Sequence, residues 1–188
     1  MSPTIVLVWA WAVVFQIANG LSIGCWLSGY GPTTSPTWKH DPTSGFPSTS
    51  TSTFPLGILI WALGLLGNIY HDDALREIRR SALRKQKAEQ RAQDQSTGKG
   101  KNHSVEKVYM IPEKGLFRWV LYPHYLCEWV EWAGFWMAAG VGCVPARTFL
   151  VNEVTTMLAR AVEGRAWYVR KFGSEKVGRR RAVLPGLI

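Results

Sequence analysis

A stripe of polar side chains lies on one face of a predicted helix. Asn68, Asp72, Arg76 and Arg79 follow i, i+4, i+8 and i+11 spacing, which places them on one helical face. A carboxylate accepts hydrogen bonds from ribose hydroxyls, and paired guanidinium groups bind phosphate oxygens. The stripe therefore suits a nucleotide, although a helix end with interfacial arginines would give the same pattern.

A second set of ionisable residues lies inside an apolar region. His124, Glu128 and Glu131 fall on one helical face, beside Trp129 and Trp132. Two carboxylates in an apolar helix are costly unless they are paired or neutralised, so this face indicates a functional site or an ion pair between helices. The spacing would allow a metal ion, but no Cys or second His cluster supports one, and we expect no metal.

The elements that must position these groups are apolar blocks separated by polar segments. A run of about 20 apolar residues crosses a bilayer, and backbone inside lipid must be helical. We therefore predict an all-α polytopic membrane bundle of about four spanning helices. The predicted helices are Thr4–Trp26, Phe54–Tyr70, Leu116–Ala146 and Phe149–Ala161. The second should continue into the polar segment that follows it, and VEKVYMIP is strand-like.

The positive charge is concentrated beside the apolar blocks. Twelve of the 22 Lys and Arg lie between His71 and Arg118, and eight lie between Arg160 and Ile188. A net charge of +9 would suit nucleic acid, but this distribution is typical of cytoplasmic loops under the positive-inside rule. We predict that the basic loop and the C-terminus are cytosolic and that no nucleic acid is bound.

The order and wording of four segments resemble the steroid 5α-reductase family, in a fungal-type member. The segments are GNIYHDDALREIRR, YMIPEKGLFRWVLYPHYLCEWVEWAGFW, ARAVEGRAWYVRKFG and RRRAVLPGLI. The resemblance implies the C-terminal part of a seven-helix fold in the endoplasmic reticulum membrane. It implies hydride transfer from NADPH to the β-carbon of an enone in a steroid or related lipid.

The resemblance also implies a division of the chain. Residues 1–56 would hold the first spanning helix and a Ser/Thr/Pro-rich lumenal loop, and residues 57–188 would form the reductase-like domain. A polar cytosolic insertion would interrupt that domain at about 81–106. The family's substrate-polarising Glu and proton-donating Tyr lie in its first three helices, so we expect the catalytic residues upstream of this chain.

The cofactor-pocket positions of the family fall on residues that include the polar stripe. By resemblance, NADPH would be held by Asn68, Asp72, Arg79, Tyr109, His124, Glu128, Arg160 and Tyr168. His124 stands where some members have Asn, and Glu163 and Gly164 replace a His pair found in many animal members. No G-x-G-x-x-G segment is present, so a dinucleotide would be held without the Rossmann fingerprint.

Two alternative functions stay open. Pro123, His124, Tyr125 and Glu128 could match the Pro-His-Tyr-like motif and the Glu of membrane methyltransferases of the isoprenylcysteine type. The chain could also be an inactive cofactor-binding remnant. The NIYHDDALREIRR segment and the tail favour the reductase. The expected partners of a reductase are the lipid bilayer and a lipid or steroid substrate.

Overall fold

Five α-helices occur in a computed structural model that describes residues 3–30, 53–97 and 109–187. They are α1 (Pro3–Tyr30), α2 (Thr53–Thr97), α3 (Pro123–Ala139), α4 (Val144–Phe172) and α5 (Ser174–Val177), with a 3-10 helix at Gly115–Arg118. Within these ranges no strand forms, and Val120 and Arg181 make an isolated bridge. The prediction of an all-α membrane helix bundle is confirmed.

Of the helices described, α1 and α2 are long and apolar enough to cross a membrane. α1 contains no charged residue, and large apolar side chains such as Trp9, Trp11 and Leu21 are exposed along it. α2 is 45 residues long and changes from an apolar to a charged sequence after Tyr70. Helices with so many exposed apolar side chains are better suited to a lipid bilayer than to water.

α3 is shorter than the predicted helix Leu116–Ala146. It begins at Pro123 because proline fits the first turn of a helix and keeps the preceding residue extended. It ends before Gly140, whose φ of +98° requires a residue without a β-carbon. The indole of Trp136 donates a hydrogen bond of 3.0 Å to the carbonyl oxygen of Val141, which closes the turn into α4.

α4 is longer than the predicted helix Phe149–Ala161. It covers 29 residues and stops at Gly173, which has a φ of +87°. Five of the eleven residues from 162 to 172 are good helix formers and none is proline, so the helix can continue although its sequence becomes polar. The described part of the strand-like segment, residues 109–112, is irregular, and residues 105–108 lie outside the described ranges.

The chain divides into two compact units. The first consists of Met1–Leu65 and Cys127–Met157, and the second consists of Leu66–Leu126 and Leu158–Ile188. The predicted boundary after residue 56 stays a prediction. Most of the predicted lumenal loop (31–52) and part of the predicted insertion (98–106) lie outside the described residues, whereas residues 81–97 continue α2.

In the first unit, α2 and α3 approach each other at glycines. A β-carbon at Gly57 would meet the backbone nitrogen of Ala138 at 2.6 Å, and β-carbons at Gly64 or Gly134 would overlap backbone atoms of the facing helix. Small residues at such contacts let membrane helices pack backbone against backbone. A core of Ala139, Cys143 and Ala146 forms at the turn from α3 to α4.

In the second unit, the C-terminal segment lies along the residues that precede α3. Three backbone hydrogen bonds of 2.9 Å hold it: Leu121 N–H to Arg181 O, Tyr122 N–H to Ala182 O, and Arg181 N–H to Trp119 O. Phe117, Val120, Val177 and Val183 are fully buried here. This small core fixes the position of the first turn of α3.

Candidate functional site

Four rings from α3, α4 and the residue before α3 form a cluster in the second unit. Its members, called the aromatic cluster below, are Tyr122, His124, Tyr125 and Tyr168. The ring centroids of His124 and Tyr125 are 4.6 Å apart, those of Tyr122 and Tyr125 are 5.3 Å apart, and those of Tyr122 and Tyr168 are 6.4 Å apart. Pro123 starts α3, so the ring of Tyr122 comes from the residue just before the helix and the rings of His124 and Tyr125 come from its first turn.

His124 has a buried ring nitrogen, Nδ1, without a hydrogen-bond partner among the described residues. Asp72 and Arg79 of α2 lie close enough to act electrostatically on its ring. An unsatisfied buried nitrogen costs about 1–3 kcal/mol, which a ligand that hydrogen-bonds to it would recover. This nitrogen makes a ligand contact at His124 possible, and that role stays a prediction.

The hydroxyls of Tyr122 and Tyr168 are protonated at neutral pH. Tyr122 precedes α3, and burial together with the neighbouring Tyr168 and Tyr125 raises its pKa from 10.0 to about 12. Tyr168 lies beyond the predicted fourth span, and burial raises its pKa, while the positive charge of Arg79 opposes that rise. Both hydroxyls can therefore donate hydrogen bonds to an anionic or carbonyl oxygen.

The polar stripe on α2 contains one paired carboxylate and one unpaired guanidinium. Arg76 binds Asp72 at 2.7 Å and contacts Asp73 at 3.6 Å. The side chain of Asp72 is 44 % exposed and that of Asp73 is 65 % exposed. Arg79 is exposed and takes part in no salt bridge in the part of the chain that the structure describes. It is available to an anion.

Tyr109 packs on α4 beside the aromatic cluster. Its ring lies edge-on to Trp167 with centroids 5.0 Å apart, and the ammonium of Lys171 is 4.3 Å from its centroid. Trp167 in turn contacts Tyr168, with centroids 5.1 Å apart. A chain of aromatic contacts therefore connects Tyr109 to the aromatic cluster.

The other three predicted site residues are Asn68, Arg160 and Glu128. Asn68 is half-buried on α2, and Arg160 is exposed on α4. Glu128 is half-buried and belongs to the first unit. The structure thus brings together Asp72, Arg79, His124 and Tyr168, with Tyr109 connected to them, while the roles of Asn68, Arg160 and Glu128 stay predictions.

His71 organises the site but was not a predicted site residue. It is buried, its Nδ1–H donates to the carbonyl oxygen of Gly67 at 2.6 Å, and its Nε2 accepts the N–H of Leu116 at 3.1 Å. Because a carbonyl only accepts, these two bonds define the tautomer. Gly115 has a φ of +60°, and a β-carbon there would lie 2.9 Å from Nε2.

Tyr122 was also missed as a site residue. It stands next to Pro123 in the quoted motif, but only the fold shows that its hydroxyl lies against Gly164 of α4. The ring of Phe117 connects the two histidines, with centroids 5.5 Å from His71 and 6.5 Å from His124. His71 and Tyr122 therefore fix the two sides of the site, and sequence spacing alone does not reveal either role.

Comparison with known proteins gives consistent matches. Residues 94–188 match the family model described as 3-oxo-5-alpha-steroid 4-dehydrogenase. An uncharacterized protein of Schizosaccharomyces pombe is 35% identical over 100% of this chain and 59% of its own length. A steroid 5-alpha-reductase of Solanum lycopersicum is 28% identical over 94% of this chain and 54% of its own length.

A 3-oxo-5-alpha-steroid 4-dehydrogenase 1 of Rattus norvegicus is 27% identical over 90% of this chain and 52% of its own length. The chain therefore spans little more than half the length of the relatives it matches. The similarity extends through α1 and α2 as well as through the segment that matches the family model, because these relatives cover nearly the whole chain.

Proposed function

Because the chain belongs to the 3-oxo-5-alpha-steroid 4-dehydrogenase family, we propose that it takes part in reducing a carbon–carbon double bond conjugated to a carbonyl. The substrate is a steroid or a related lipid, and NADPH is the reductant. The observation that carries the proposal is the buried Nδ1 of His124, which has no hydrogen-bond partner within the described ranges. It lies among charged and hydroxyl-bearing residues suited to a dinucleotide.

The residues present fit such a cofactor. Asp72 offers a carboxylate that is not fully buried, Arg79 offers an unpaired guanidinium, and Tyr168 offers a protonated hydroxyl. Carboxylates suit ribose hydroxyls, and guanidinium groups suit phosphate oxygens. The rings of the aromatic cluster offer flat surfaces for a base or a nicotinamide. These residues could bind a dinucleotide without the glycine-rich turn of a Rossmann fold.

Each group has one role in this proposal. Asp72 binds ribose, Arg79 neutralises phosphate, and His124 forms a hydrogen bond through Nδ1. The hydroxyls of Tyr122 and Tyr168 donate hydrogen bonds, while the rings exclude water from the reacting region. NADPH, when bound, supplies the hydride. The relatives are longer than this chain, so we assign only cofactor binding to the residues described here.

The same proposal places the protein in the endoplasmic reticulum membrane. α1 and α2 are long and apolar enough to span it, and the basic end of α2 and the C-terminus face the cytosol under the positive-inside rule. A cysteine introduced at Lys85 and one introduced at Gly186 should react with an impermeant maleimide from the cytosolic side. Labelling from opposite sides would contradict this topology.

Direct binding tests the cofactor assignment without requiring turnover. The detergent-purified chain is titrated with NADPH and, separately, with S-adenosylmethionine, and binding is followed by calorimetry. We expect saturable binding of NADPH only. Saturable binding of S-adenosylmethionine alone would favour the methyltransferase alternative, and binding of neither would exclude the proposed cofactor role for this chain.

A further inference from the structure

A basic cavity lies in the second unit, apart from the residues assigned to NADPH. Its volume is about 760 Å³, and the indole of Trp119 contributes to its wall. Its charged lining consists of one carboxylate, from Glu175, and six cations. The cations are Arg118, Arg165, Lys176, Arg179, Arg180 and Arg181.

Within the described residues, the positive charge of this cavity is not neutralised by salt bridges. No salt bridge in the described ranges includes Glu175 or a cavity cation. Like charges gathered in a concave surface repel each other and concentrate the local positive potential. An anion bound in the cavity would relieve that repulsion.

Two of the arginines are fixed in place by backbone acceptors. Arg165 donates from Nε to the carbonyl oxygen of Arg180 at 2.9 Å. Arg180 donates from Nε to the carbonyl oxygen of Phe117 at 3.0 Å and from Nη1 to that of Lys176 at 3.0 Å. Ordered guanidinium groups lose less freedom when they bind a ligand, so the cavity is pre-organised.

Backbone hydrogen bonds also fix the segments that line the cavity. Arg181 and Trp119 are joined by a backbone hydrogen bond of 2.9 Å, and Leu121 donates to Arg181 at the same distance. Val177, next to the cavity cation Lys176, is fully buried. The cavity is therefore a feature of the folded tail and does not depend on the conformation of long surface side chains alone.

We propose that this cavity binds a phosphate-bearing anion. Arginine guanidinium groups bind phosphate through paired, bidentate hydrogen bonds, so a group of arginines favours this ligand. A soluble phosphate compound and the headgroup of an anionic lipid share this chemistry, and an exposed indole beside basic residues suits a membrane surface as well as a stacked base. The proposal does not depend on NADPH binding.

The test compares two triple variants of the full chain. Arg118→Gln/Arg179→Gln/Arg181→Gln removes three exposed cavity cations whose side chains make no hydrogen bond or ion pair in the described structure. Arg80→Gln/Lys87→Gln/Arg91→Gln removes the same charge from exposed positions on α2 and is the control. A thermal melt checks that both variants fold.

Two probes distinguish the sources of phosphate. Inorganic pyrophosphate is titrated into protein in phosphatidylcholine nanodiscs, and retention of phosphatidic acid is measured by native mass spectrometry in nanodiscs that contain both lipids. We expect one probe to bind and the cavity variant to bind it at least about tenfold more weakly. The control should stay within about threefold of the original chain.

The probe that responds identifies the ligand. Loss of pyrophosphate binding in the cavity variant would indicate a soluble phosphate, and loss of phosphatidic acid retention would indicate a lipid headgroup. Equal binding by the cavity variant and the control, or no binding of either probe to the original chain, would overturn the proposal.

Discussion

The hydroxyl of Tyr122 lies directly against Gly164 of α4, so closely that a β-carbon at residue 164 would overlap it. The ring of Tyr122 therefore fits in this position only because residue 164 has no side chain. Tyr122 precedes α3, and Gly164 lies in the long C-terminal part of α4. This contact therefore fixes how the aromatic cluster packs on α4.

Replacing Gly164 with alanine should destabilise the protein. Overpacking in a tight contact costs about 1–3 kcal/mol, more than the roughly 1 kcal/mol that alanine gains over glycine in a helix. We expect a lower melting temperature, partly recovered in Gly164→Ala/Tyr122→Phe. The control is Gly24→Ala on α1, where a β-carbon meets nothing within 4 Å. An unchanged or higher melting temperature for Gly164→Ala would argue against the contact.

The two histidines should respond in opposite ways to the same change. His124→Phe removes a buried unsatisfied nitrogen, whereas His71→Phe removes the partner of both Gly67 and Leu116. Thermal melts without cofactor should show His124→Phe as stable as the original chain or more stable. His71→Phe should lose about 2 kcal/mol or more of unfolding free energy. Equal losses would contradict the assignment of partners.

Contacts between residues close in the sequence could be predicted at this site, whereas contacts between distant residues could not. The α2 stripe can be read from the sequence because residues four apart on a helix are neighbours. The role of His71 cannot, because Leu116 follows it by 45 residues and no local pattern connects them. The early end of α3 has a local signal in Gly140, but the apolar composition around it conceals that signal.

The contact between Tyr122 and Gly164 could not be predicted from spacing. The sequence shows that Gly164 departs from the pattern of many family members, but not what occupies the space beside it. The long continuation of α4 beyond Ala161 was missed for a related reason. Hydropathy falls there, and a prediction based on apolar blocks ends a helix where the apolar residues end.

Asp72 and Asp73 provide a matched pair for the cofactor site. Both contact Arg76, but Asp72 belongs to the stripe and acts electrostatically on His124. Asp72→Ala should weaken NADPH binding about tenfold, the loss of one charge-assisted hydrogen bond. Asp73→Ala should weaken it less than about threefold. Calorimetric titration measures both, and equal losses would contradict the face assigned to the cofactor.

The close approach of α2 and α3 in the first unit should depend on Gly134. A β-carbon there would overlap the backbone nitrogen of Trp61, and a backbone atom cannot turn aside as a side chain can. Gly134→Ala should lower the unfolding free energy by about 2 kcal/mol in detergent. Gly20→Ala on α1, where the space is open, is the control, and an equal response of the two variants would refute the packing.

Nitrogen-15 NMR of histidine-labelled protein tests most directly whether NADPH binds at the ring of His124. The His124 signal is assigned by its loss in His124→Asn. During NADPH titration we expect the Nδ1 signal of His124 to shift and saturate, while the signals of His71 stay in place. Saturable NADPH binding that leaves the His124 signal unchanged would contradict the account.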